Sequence, residues 1–152
     1  MAVQLQGNLV KKAHKKIKYS DKMLADLAKC SDPDTGPMYF MENFLQIQHP
    51  TKGAIKFEPF EFQKNLVKNY HENRFSINML PRQTGKTTCA SAYLLWYAMF
   101  VPDSQILIAA HKYTGAQDIM NRFRYAYESV PDFIRPGIYS YNRNTIEFDN
   151  GS

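Results

Sequence analysis

Residues 75–100 constrain the fold more tightly than any other part of the chain. Phe75-Ser76-Ile77-Asn78-Met79-Leu80 is an apolar-rich run of strand length, and Thr87 to Phe100 is a nearly continuous apolar helix. Only the polar turn Pro81 to Lys86 separates them. A helix that carries Tyr93, Leu94, Leu95, Trp96 and Met99 is apolar on most sides, so the pattern predicts a buried one. Pro102-Asp103 ends it, and Gln105-Ile106-Leu107-Ile108-Ala109-Ala110 then reads as a second, fully buried strand. Residues 113–129 are helical again and are closed by Pro131. Strand, helix, strand, helix is the order of right-handed βαβ units on a parallel sheet.

The turn itself carries chemistry. Leu80-Pro81-Arg82-Gln83-Thr84-Gly85-Lys86-Thr87-Thr88 leads from a strand into a helix and contains Gly-Lys-Thr. The β- and γ-phosphates of a nucleotide need inward-pointing backbone N–H groups, a mobile cation and a hydroxyl on Mg²⁺. This segment offers a backbone nest, Lys86 and Thr87 for those three tasks. Gly85 lets the backbone approach the phosphates, and the helix N-terminus adds partial positive charge. Gln83, Thr84 and Thr88 complete the predicted binding segment. The usual pattern has glycine five positions before Gly85, and this chain has Leu80 there. Arg82 stands where small residues are common. It reads either as a surface arginine over the loop or as a second cation for the γ-phosphate, an arginine finger in cis.

Upstream, the chain reads as a lysine-rich arm over 1–19 followed by helices over 20–74. Ser20 is placed to cap a helix with Met23, Leu24, Leu27 and Ala28 on one face. The breaker-dense Ser31 to Pro37 ends that helix. A second helical pattern takes in Tyr39, Phe40, Phe44, Leu45 and Ile47, with a turn at His49 to Gly53. Ile55 to Phe57 is a short extended piece, and Phe60 to Tyr70 is again helical. Gln63 lies in that last helix, 23 residues before Lys86; a glutamine amide can read both the donor and the acceptor of an adenine edge. Phe62 reads as core or as a stacking platform for a base. His111 and Lys112 follow the second strand, on the edge where open α/β sheets bind ligands. Two β-like runs, Ile138 to Tyr141 and Thr145 to Phe148, close the chain.

Composition narrows the class. At 152 residues there is room for one core. A 44% hydrophobic content excludes a disordered chain. No apolar run is long enough to span a bilayer. Cys30 and Cys89 are too few for a disulfide scaffold or a tetrahedral zinc site. The net charge of +5 invites a nucleic-acid reading, but five of the 19 basic residues are Lys11, Lys12, Lys15, Lys16 and Lys18. The remaining basic residues balance the 14 acids, so the excess charge sits on one short arm. That arm is expected to be solvated, or to touch phosphate backbone or an acidic partner.

Three blocks together resemble the N-terminal part of the large terminase subunit of contractile-tailed bacteriophages, the ATP-driven motor that packages viral DNA into proheads. They are Ser76 to Thr88, Phe60 to Gln63, and Pro131 to Ile138 with Ile146 to Ser152. Tyr39 to Lys52 and Ala109 to Lys112 add to the likeness, which covers about residues 39–152. The variant phosphate loop with Arg82-Gln83 is typical of these motors. The resemblance implies that Lys86 and Thr87 hold ATP and Mg²⁺, that Gln63 reads adenine, and that Arg82 senses or stabilises the γ-phosphate. It also implies a RecA-like P-loop sheet over 75–152, and a portal protein, a small terminase subunit and double-stranded viral DNA as partners. The place of action would be the prohead portal in the host cytoplasm.

Such an ATPase domain continues into an apolar strand ending in Asp-Glu, the pair that positions Mg²⁺ and activates water. No apolar run here ends that way. Asp118, Glu128, Asp132, Glu147 and Asp149 are the acids available, and none follows a buried strand. The expectation is therefore an N-terminal piece, from a truncated, split or intron-interrupted gene, that grasps nucleotide without a complete hydrolytic site. A complementing chain would supply the remainder. Three alternatives stay open: a helicase-like P-loop ATPase fragment, a non-catalytic interaction module, and a gene remnant that does not fold stably.

Overall fold

The computed structural model describes residues 10–49, 51 and 53–152. Five helices and two small antiparallel sheets follow in the order α1 (Asp21–Cys30), α2 (Gly36–Phe44), β1 (Gln46–His49), β2 (Gly53–Lys56), α3 (Glu61–Glu72), α4 (Lys86–Phe100), α5 (Tyr113–Ser129), β3 (Ile138–Tyr141) and β4 (Ile146–Phe148). Ser20 Oγ accepts from the Met23 N–H and caps α1, as its position predicts. The second helical pattern stops at Phe44. Ile47, expected on that helix, lies instead in β1, which pairs antiparallel with β2 and sets Ile47 opposite Ile55.

The core forms around α4. Cys89, Ala92, Leu95, Trp96, Ala98 and Met99 are buried on it. They join Phe40 and Met41 of α2, Leu66 and Val67 of α3, and Phe123, Ala126 and Tyr127 of α5 in one cluster. Trp96 meets its one polar requirement by donating Nε1–H to the Cys30 carbonyl at 2.8 Å. Burial pushes the thiols of Cys30 and Cys89 up to about 12 and about 11, so both are inert. Among the described residues, no helix is long and apolar enough to cross a membrane.

The parallel sheet is where expectation and structure part. Among the described residues, neither 75–80 nor 105–110 belongs to a strand or makes a backbone ladder bond. Exposure nonetheless alternates along 77–80 and along 105–108, as it would in strands with one face covered. A strand is defined by its neighbour, and neither segment has one. Phe75, Ile77, Met79 and Leu107 are left 83%, 95%, 91% and 92% exposed. The even side of the second run, Ile106 and Ile108, faces a cleft of about 110 Å³ that Met120, Phe123 and Phe148 also line.

The lysine-rich segment departs in part from the solvated arm expected of it: Lys12, Lys15, Lys16 and Lys18 are exposed, but Lys11 is not, and residues 1–9 lie outside the described residues. Lys11 is buried, and its Nζ donates to the Arg135 carbonyl at 2.6 Å. Desolvation lowers its pKa, against the attraction of Asp149 and Asp132. The Ile138 N–H donates to the Lys11 carbonyl at 2.9 Å, and Lys12 makes a parallel bridge to Ile138. Asp149 takes both the His14 and the Gly137 N–H, at 2.9 and 3.0 Å. Lys15 pairs with Asp132 at 3.1 Å. Gly137 makes this approach possible, because a Cβ there would sit 2.6 Å from Ala13 Cα and from the Lys12 carbonyl oxygen.

Asn150 and Ser152 serve the C-terminus of α4. Asn150 Nδ2 donates to the Ala98 and Met99 carbonyls at 2.9 and 3.2 Å, and Ser152 Oγ donates to Val101 at 3.0 Å. The C-terminal carbonyls of the buried helix are thereby capped.

Two outcomes follow from these contacts. Gly137→Ala forces the 12–13 backbone away from β3, at a cost of about 1–3 kcal/mol, which a thermal melt followed by circular dichroism reads as a lowered midpoint; an unchanged midpoint contradicts the close approach. The exposed apolar side chains make self-association the expected behaviour of the isolated chain. Sedimentation velocity of the Ile77→Lys/Met79→Lys double variant is expected to show a larger monomer fraction than the parent.

Candidate phosphate-binding site

Helix α4 opens without a side-chain cap. Its N-cap is Gly85, at φ 76° and ψ 11° in the left-handed region, and Gln83 is also left-handed at φ 66°. Glycine adopts that conformation without the steric cost of a Cβ. The first bond of the helix runs from the Cys89 N–H to the Gly85 carbonyl at 3.0 Å. Among the described residues, the N–H groups of Lys86, Thr87 and Thr88 have no acceptor. Three amides are thus gathered at the positive end of a fifteen-residue helix.

Lys86 curls back along the loop, donating Nζ to the Pro81 and Leu80 carbonyls at 3.1 and 3.4 Å. Thr84 Oγ1 donates to the same Pro81 carbonyl at 3.0 Å. No counter-charge lies close in sequence: there is no Asp or Glu between Glu72 and Asp103. Among the described residues, neither Lys86 nor Arg82 forms an ion pair. Thr87 is half-buried in the first turn. No group of three or more His, Cys, Asp or Glu among the described residues could hold a metal ion.

The expected residues are brought together unequally. Gln63, Thr84, Gly85 and Lys86 meet. Gln63 is only 6% exposed; its Oε1 accepts from the Phe60 N–H and its Nε2 donates to the Thr84 carbonyl, both at 3.0 Å. Arg82 and Gln83 are exposed, and neither side chain has a partner among the described residues. His111 and Lys112 are exposed just before α5. Phe62, read as core or platform, is exposed and stacks on Phe60, with ring centroids 5.9 Å apart and planes 8° from parallel.

One residue at the loop was invisible to sequence reasoning. Arg122 of α5 donates Nη1 to Thr88 Oγ1 at 3.4 Å, adding a third cation beside the free amides. It lies 34 residues along the chain from Thr88, on a helix whose own pattern only reports burial. The packing of α5 on α4 alone brings it there.

A family model described as the N-terminal part of the terminase large subunit, T4likevirus-type, matches residues 77–152. The match takes in Gly85-Lys86-Thr87, the buried helix behind it, Arg122, and the segment that clasps Lys11 and caps α4. The chain belongs to this family of terminase large subunits and carries part of their N-terminal region.

Proposed function

We propose that this chain binds ATP through the 80–88 loop as the nucleotide-grasping part of a motor that packages viral double-stranded DNA. The observation that carries the reading is the uncapped N-terminus of α4, where three amides without acceptors and Lys86 lie in a stretch of sequence without acids. Its fit to a triphosphate rests on donors of the right kind. Backbone N–H groups and the left-handed Gly85 suit close phosphate contact. Lys86 exchanges neutral carbonyl acceptors for charged phosphate oxygens, a stronger bond for the same donor. Arg82, exposed and unpaired among the described residues, is free to swing onto the γ-phosphate. Mg²⁺ would offset the phosphate charge, with the Thr87 hydroxyl as the ligand from this chain.

Hydrolysis needs a carboxylate or an amide to orient and activate water. The same reading takes that group to come from a complementing polypeptide. It also includes a portal protein and a small terminase subunit as partners, at the prohead in the host cytoplasm.

Titration calorimetry with Mg-ATP tests binding. Lys86→Ala is expected to weaken it about tenfold or more, since charge-assisted bonds contribute about 1.5–3 kcal/mol. Equal affinity in parent and variant removes the loop from the argument. In a phosphate-release assay the chain alone is expected to bind without appreciable turnover; robust Mg²⁺-dependent hydrolysis would overturn the incomplete-site part of the proposal.

A further inference from the structure

Arg122 stands at the wrong end of a helix. It is carried by α5, which Phe123, Ala126 and Tyr127 anchor in the core, and its guanidinium lies beside the N-terminus of α4. The neighbouring arginines are committed to structure. Arg124 donates Nη2 to the Asn142 carbonyl and lies over the Tyr141 ring, 5.4 Å from its centroid. Arg143 donates to Gln117 Oε1 at 3.1 Å, and Arg135 pairs with Asp132. Arg122 is exposed, and among the described residues its hydrogen bonding is the single contact from Nη1 to Thr88 Oγ1 at 3.4 Å. It forms no ion pair there, although Asp118 precedes it by one turn of the same helix.

For the protein alone this position is electrostatically unfavourable. A helix N-terminus carries partial positive charge, which an acid stabilises and a cation opposes. α4 has no acid in its first turn to reverse that balance. The side of approach is also distinct. Lys86 is the first residue of α4 and Thr88 the third; at 3.6 residues per turn their side chains leave the helix about 200° apart. Arg122, resting on Thr88, therefore reaches the helix end from the side opposite the Lys86 stem, and the acceptor-free N–H groups of Lys86, Thr87 and Thr88 belong to the turn that both flank. A guanidinium has five N–H donors in a planar fork, and a phosphate can accept two of them at once.

Resting on the phosphate-loop reading, we propose that Arg122 is a further phosphate-binding cation, delivered from α5, which closes on the polyphosphate from the side opposite Lys86. The Thr88 hydroxyl is its resting partner, a neutral acceptor that a phosphate oxygen replaces with a charge-assisted bond. Its contribution is one of charge, falls on the phosphates and is blind to the base.

Arg122→Gln keeps a hydrogen-bond donor and removes the charge. Without ligand its thermal midpoint is expected to equal or exceed that of the parent, because repulsion at the helix end is relieved. A lowered midpoint would make Arg122 a structural tether and overturn the inference. Calorimetry on the full chain with Mg-ATP, Mg-GTP and inorganic Mg-tripolyphosphate is expected to show all three weakened by one common factor. That factor is about 3- to 10-fold, less than for a buried charged bond because the guanidinium is open to solvent. Arg122→Lys is expected to regain part of the loss. Unchanged affinity in the glutamine variant, a loss confined to the two nucleotides, or no recovery with lysine each overturns the proposal. Lys86→Ala run alongside separates the levels: if it is silent, or the parent binds none of the three, the phosphate-loop reading fails and this inference with it; if only Arg122→Gln is silent, the inference alone fails.

Discussion

The structure depends on α4 being buried along its length, and on how its two ends are treated. A helix of fifteen residues leaves carbonyls unpaired at one end and amides at the other. Inside a core these groups need partners, since an unmet buried polar group costs about 1–3 kcal/mol. At the C-terminus the chain supplies them from far away, with Asn150 and Ser152 brought back to Ala98, Met99 and Val101. At the N-terminus it supplies none: Gly85 cannot cap, and three amides stay open. A protein that completes one end of its central helix with side chains fifty residues distant has the means to complete the other. Leaving it open keeps three amide donors available at the helix N-terminus.

The capping of α4 in turn depends on the segment that carries Asn150, and that segment is fixed by the N-terminal strap. Asp149 holds the amides of His14 and Gly137 together, while its own N–H donates to the Gly137 carbonyl at 2.8 Å. Lys11 and Lys15 are committed here to the Arg135 carbonyl and to Asp132. Burial works against ionisation of Asp132, but its bonds from Arg135 and Lys15 prevail and hold its carboxyl below the usual range. Part of the positive charge that composition assigns to a free arm is therefore spent on internal order, which weakens any argument from net charge to a nucleic-acid surface.

What the sequence could show divides along the range of the interactions involved. Helices α3, α4 and α5 were legible to within a residue or two, because periodicity and breakers are local. So were the two β-like runs at 138–141 and 145–148, which the structure pairs as β3 and β4. The parallel strands were not realised, because an apolar run becomes a strand only when another backbone pairs with it, and 75–80 and 105–110 have no such neighbour among the described residues. Ile47 escaped its helical pattern because pairing with Ile55 was available. Lys11 looked like one more charge in a solvated run; only its tertiary position, against a carbonyl 124 residues away, shows otherwise. Gln63 stands out by its spacing from Lys86, whereas its hydrogen bond to Thr84 comes from tertiary packing that no spacing encodes.

The loop cations end up in an economical arrangement. No acid lies within the thirty residues between Glu72 and Asp103, and among the described residues Lys86 forms no ion pair and rests on carbonyl oxygens. A lysine locked in a salt bridge would have to break a charged pair before meeting a phosphate. One held by neutral acceptors gives up less and gains a charge-assisted bond. Arg122 is held in a similar way by the Thr88 hydroxyl. Because both cations are ordered by neutral groups, they are already near the open amides of α4, and under the proposed function an arriving polyphosphate displaces only weak bonds to recruit them.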